Sequence, residues 1–145
     1  MSVKFARRDV KGLRIHGQRG HPEVKAALIR FASWLRRHRE FPTRLPVYLI
    51  AGDQVRTGEG ELCSASFFAP DSKLDAPYAR IATGDFPRLR RSRGRDSALA
   101  AYLHSLAHEL VHYDQWLAGT APTERGVHRK ATRTVENYAN YVRHP

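Results

Sequence analysis

His108 and His112 stand four residues apart with Glu109 directly after the first, in the run His108-Glu109-Leu110-Val111-His112. On a helix this HExxH spacing puts both imidazoles on one face, where they can share a divalent cation, Zn²⁺ above all. The carboxylate then stands beside the water that completes the coordination. The metal lowers that water's pKa towards neutrality, and Glu109 is the general base that takes its proton. The chemistry this pattern points to is hydrolysis.

The motif needs a helix, and its flanks supply one. Between Asp96 or Ser97, either of which can cap an N-terminus, and Gly119, a natural C-terminal stop, no proline interrupts the chain. At about 100° per residue, Leu99, Tyr102, Leu103, Leu106, Leu110, Tyr113 and Leu117 form one apolar stripe. Ala101, His104, His108, His112 and Gln115 line the opposite side. Histidines satisfied inside a core would fall within the leucine stripe, whereas these are set to face a cleft.

The remaining chain supplies the scaffold. Residues 1 to 20 are basic and punctuated by glycine, and read as a loosely attached arm with one short strand or helical turn. Pro22 and Glu23 mark a helix start, and Val24, Leu28, Phe31, Ala32 and Leu35 repeat at helical spacing until Arg36-Arg37-His38-Arg39 and Pro42 end it. Three strand-like runs follow, Pro46 to Ala51, Glu61 to Ala69 and Tyr78 to Thr83, each bounded by Gly, Pro or Asp clusters. Arg88, Arg90, Arg91, Arg93 and Arg95 then form a basic loop into the metal helix. Such a loop could clamp nucleic-acid phosphates or an acidic peptide, or serve only as a solvated connector. A closing helix is expected from Pro122 and Glu124 onward, with Val127, Ala131, Val135, Tyr138 and Val142 on its apolar face. The predicted class is α+β, in the order helix, three-stranded sheet, HExxH helix, closing helix.

Bulk composition sets the boundaries. A chain of 145 residues suits a single domain with its own core. Cys63 is the lone cysteine, which excludes an intramolecular disulfide framework. No stretch reads as a signal peptide or membrane span, so a cytoplasmic protein is expected, without membrane contact. The 25 basic residues, mostly arginine, against 14 acidic ones leave a net charge of +11. That field favours polyanions, nucleic acid among them.

With HExxH on the helix after the sheet, this order resembles the minimal zincin core, a gluzincin-type metallopeptidase domain of the SprT-like or ImmA/IrrE-like groups. The likeness is architectural over most of the chain and sharp only from Ser105 to His112 (SLAHELVH). The string from His112 to Trp116, followed by Thr123-Glu124-Arg125-Gly126, also resembles phage and bacterial HExxH proteins, which would place a phage-encoded chain in its host's cytoplasm. The metzincin pattern is absent, because Gln115 and Ala118 stand where its glycine and third histidine fall. The resemblance implies a zinc-dependent peptidase acting on protein or peptide, with a third ligand on the closing helix.

Three residues compete for that place. On a helical wheel Glu124 lies about 20° from the centre of the closing helix's apolar face, His128 about 60° and Glu136 about 140°. Depth along an antiparallel pair favours His128, which also lies near the spacing of the SprT-like third histidine. Glu124 is preferred narrowly, on the ground that a buried carboxylate wants a cation. His104 is a further candidate outside the motif. Tyr138 or Tyr141 could assist the oxyanion. By analogy, substrate backbone would add to the strand edge at Tyr78 to Thr83. The rival is a basic nucleic-acid- or virion-associated protein whose zinc site is structural or degenerate. Glu109 separates the two, since a structural site has no use for a carboxylate beside an open coordination position. A protease acting on nucleic-acid-bound proteins would join them.

Overall fold

A computed structural model describes residues 12–57, 59–72 and 74–143 of the chain. Its elements are β1 (Leu13–His16), α1 (Pro22–His38), β2 (Leu45–Ile50), β3 (Val55–Arg56), β4 (Leu62–Cys63), β5 (Ala65–Phe68), β6 (Tyr78–Ala82), α2 (Phe86–Arg93), α3 (Arg95–Ala118) and α4 (Val127–Arg143). Four strands form a mixed sheet in the order β1-β2-β6-β5, while β3 and β4 pair separately as a hairpin. The first three strands of the mixed sheet run parallel, and β5 runs antiparallel to β6. The class is α+β, with four helices and a small mixed sheet among the described residues. None of these helices is long and apolar enough to cross a membrane.

Local chemistry explains the two principal helices. Pro22 opens α1 with a pre-set φ, and the His21 side chain accepts the Glu23 N–H at 3.2 Å. Val24, Leu28, Phe31, Ala32 and Leu35 are all buried beneath it. Helix α3 ends at Gly119, whose φ of 74° is the left-handed cap that glycine adopts without penalty. There the Gly119 and Thr120 N–H groups take up the Trp116 and Gln115 carbonyls, both at 3.1 Å. The leucine stripe of α3 lies against the sheet and α1, with Leu106 and Tyr113 fully buried. Tyr113 ties this helix to the chain before β2 through its hydroxyl, which donates to the Thr43 carbonyl and accepts the Thr43 N–H.

Four expectations change. The sheet has four strands rather than three, because residues 13 to 16 of the supposed arm form β1 beside β2, with Leu13 buried. Parallel neighbours need a crossover, and α1 is that crossover; the part of the arm from 1 to 11 lies outside the described residues. The arginine loop is largely helix α2, started by Phe86 and Pro87 and stopped at Gly94, and Arg95 already belongs to α3. The closing helix begins at Val127 rather than Pro122, so Glu124 precedes it in a loop. Val142 is 57% exposed, so the apolar face of α4 fades at its end.

One close approach fixes the turn from β6 into α2. Gly84 donates to the Gly52 carbonyl at 2.9 Å. A Cβ at position 84 would stand 2.3 Å from the Ala51 oxygen, so only glycine fits.

Candidate metal centre

Helix α3 delivers two of the motif's side chains to a cleft of about 490 Å³ and keeps the third beneath them. His108 and His112, one turn apart, point their rings into it, with centroids 5.2 Å apart. Glu109 lines the same cleft but is only 5% exposed. Burial, reinforced by the Glu124 carboxylate, pushes its pKa up to about 8. The opposite wall is strand β5 with its approach, through Cys63, Ser66 and Phe67. Trp116 closes one end, its indole N–H donating to the Pro70 carbonyl at 2.9 Å.

Glu124 reaches the histidines from the loop after α3. One carboxylate oxygen lies 3.1 Å from His108 Nε2 and the other 2.9 Å from His112 Nε2. Donor atoms of these three residues all fall within 4.8 Å of one another. The arrival of Glu124 has a different physical basis from the one the helical wheel suggested. It is not buried on a packing face; its side chain is 72% exposed and the loop aims it.

The hydrogen bonding behind His112 makes the trio suited to a cation. His112 Nδ1 lies 3.0 Å from Gln115 Oε1, and the Gln115 amide is oriented by donating from Nε2 to the Thr123 carbonyl at 3.0 Å. An amide oxygen only accepts, so Nδ1 carries the hydrogen. With the hydrogen on Nδ1, the lone pair of Nε2 is the one turned towards a carboxylate oxygen. Two acceptors at 2.9 Å need a proton or a metal ion between them. For His108, burial holds the imidazole below the ordinary histidine range, against the opposing pull of Glu124, which favours the neutral form a metal requires. Two imidazole nitrogens and one carboxylate make a donor set typical of catalytic zinc, and these residues fit the ion.

Other candidates are placed elsewhere. The His128 ring lies tilted against His104 with centroids 4.6 Å apart, and His104 Nε2 meets the Thr132 hydroxyl at 3.2 Å. Together they clasp α4 to α3. Glu136 is exposed on α4 and outside the cluster. Tyr138 and Tyr141 pack against Trp34, at 5.3 and 6.2 Å between centroids, and do not line the cleft, which removes them as oxyanion donors. Of the arginines, Arg90 and Arg95 both bind Glu23, at 2.9 and 2.8 Å, while Arg88 approaches Asp53 and Asp85. Arg91 and Arg93 are exposed without a carboxylate partner among the described residues. Three of the five, Arg88, Arg90 and Arg95, are thus paired with carboxylates of this chain. Sequence reasoning missed Gln115 as the support of His112, although its place three residues beyond the motif on the histidine side was the available signal.

No family model matches the sequence, and no curated protein and no solved structure matches this chain.

Proposed function

We propose that this protein is a zinc-dependent metallopeptidase of the minimal zincin type, a hydrolase that cleaves peptide bonds. The observation that carries the reading is the convergence of His108, His112 and Glu124 from two separate segments, with a histidine lone pair and a carboxylate face to face. Zn²⁺ held by these three would acidify a water and polarise the scissile carbonyl. Glu109 supplies the base. Lining the cleft beside both histidines, its carboxylate would accept the attacking water's proton and hand it to the leaving amine. The antiparallel strand β5 over the HExxH helix further supports the zincin resemblance.

Substrate backbone fits along β5, because β6 has β2 on one side and β5 on the other and offers no open edge. This moves the docking strand from Tyr78–Thr83 to Ala65–Phe68, where Ser66 and Phe67 already line the cleft. The net charge of +11 suits substrates associated with nucleic acid.

The test is paired metal analysis and proteolysis. Purified protein should hold about one zinc per chain. Glu109→Gln should keep that zinc yet lose about 10²- to 10⁴-fold of its hydrolysis of an unfolded protein such as casein, because the amide cannot take a proton. Unchanged turnover would remove Glu109 from the mechanism. Failure to load zinc after zinc-supplemented expression would remove the centre itself.

A further inference from the structure

The helices pack on one face of the four-stranded sheet, and the other face carries chemistry that the metal centre does not use. Strand alternation sends Val47, Leu49, Ala79 and Ile81 into the core. It turns His16, Tyr48, Tyr78 and Phe68 the other way. These four rings form a continuous row across all four strands. His16 stacks on Tyr48 at 4.9 Å, Tyr48 meets Tyr78 edge-on at 6.0 Å, and Tyr78 stacks on Phe68 at 5.0 Å. Tyr48 and Phe68 remain 37% and 48% exposed.

Cations gather at the His16 and Tyr48 end of the row. Arg14 and Arg80 share this face by alternation. Arg19 and Arg80 join His16 and Tyr48 around an open cleft of about 540 Å³. The positive charges of Arg14 and Arg44, after burial, lower the His16 pKa, which places both guanidinium groups near that ring. None of Arg14, Arg19, Arg44 and Arg80 has a carboxylate within ion-pair distance among the described residues. Arg80 is held in place by donating to the Arg56 carbonyl at 2.6 Å. No outward strand position carries an acid. Cross-strand rings by themselves help to hold a sheet together. A row flanked by unneutralised charge of one sign asks for an anionic ligand with flat apolar parts.

We propose that this outer sheet face binds single-stranded nucleic acid, with unpaired bases against the Tyr48 and Phe68 rings and phosphates on the arginines. A duplex hides its base faces and would use only the charges. An acidic peptide likewise leaves the rings unused. Stacking with a cationic margin is the chemistry by which flat sheet surfaces hold single strands of any sequence.

The experiment is fluorescence anisotropy of the full chain with labelled oligo(dT) and oligo(U) of about 15 nucleotides, and with a duplex of equal length. Single strands of either sugar should bind more tightly than duplex. Tyr48→Ala and Phe68→Ala should each weaken binding about tenfold, while Tyr48→Phe retains it. Arg14→Gln with Arg44→Gln should reduce the slope of log affinity against log salt by about 1 to 2. Thermal melting of each variant, with Tyr48→Leu as a ring-free variant of retained bulk, separates lost binding from lost folding. Equal affinity for duplex, unchanged binding in the folded ring variants, or displacement by polyglutamate as readily as by unlabelled oligonucleotide would overturn the proposal. Zinc and hydrolysis enter no arm, so the outcome is independent of the metal centre.

Discussion

The side-chain amide of Gln115 grips the backbone of Thr123 at both ends, donating from Nε2 to the carbonyl at 3.0 Å and accepting the Thr123 N–H on Oε1 at 3.3 Å. Glu124 is the next residue. The same Oε1 faces His112 Nδ1, so one amide sets the tautomer of one candidate ligand and docks the loop that carries another. Groups that orient metal ligands commonly contribute a factor of about 10 to 100 in affinity. Gln115→Leu, close in size but unable to bond, should weaken zinc by about that factor in competition with a chromophoric chelator. Gln115→Glu keeps the acceptor and loses the donor, and should fall between. Leucine variants that hold zinc as tightly as the parent would reduce Gln115 to a bystander.

Zinc should depend on Glu124 and not on His128. Glu124→Ala removes an oxygen from beside each histidine, whereas His128 spends its ring on His104. Chelator titration of Glu124→Ala, His128→Ala and Glu136→Ala therefore has an expected order, with Glu124→Ala weakest and the other two near the parent. Loss of metal in His128→Ala alone would restore the three-histidine arrangement.

Acid should loosen the clasp between α3 and α4. Burial, and then the charge of His128, lowers the His104 pKa below its usual 6.5. A histidine whose folded pKa is depressed binds fewer protons folded than unfolded, so its share of stability is present above 6.5 and is lost as pH falls through the folded value. Denaturant unfolding in chelator between pH 7.5 and 5 should thus show a smaller acid loss in His104→Gln, which keeps a partner for Thr132, than in the parent. Parallel curves would place the acid sensitivity elsewhere.

Gly84→Ala tests the turn that sets α2 against the sheet. The added methyl group would meet the Ala51 oxygen at 2.3 Å, against backbone that cannot swing aside as a side chain can. Overpacking of this kind costs about 1–3 kcal/mol, readable as a lower denaturation midpoint with an unchanged slope. An unaltered midpoint would show that the turn relaxes freely.

Local rules made α1 and α3 legible from the chain. Pro22, Gly119 and the recurring leucines act within a few residues of themselves, and helical hydrogen bonds close inside the same segment. The motif was legible for the same reason, since a four-residue spacing on a helix already defines one face. β1 was legible only as one short strand or turn within a loose arm, because its place in the sheet comes from β2, across the whole of α1. β5 was not legible as the sheet's edge, which follows from strand order rather than from its own residues. The basic run from 88 to 95 shows the limit most plainly: sequence reports its charge, and only folding brings Glu23 to Arg90 and Arg95. Glu124 depends on both levels. Its type marks it as a ligand candidate, but its place beside His108 and His112 comes from a loop anchored by Gln115, and no helical period encodes where a loop comes to rest.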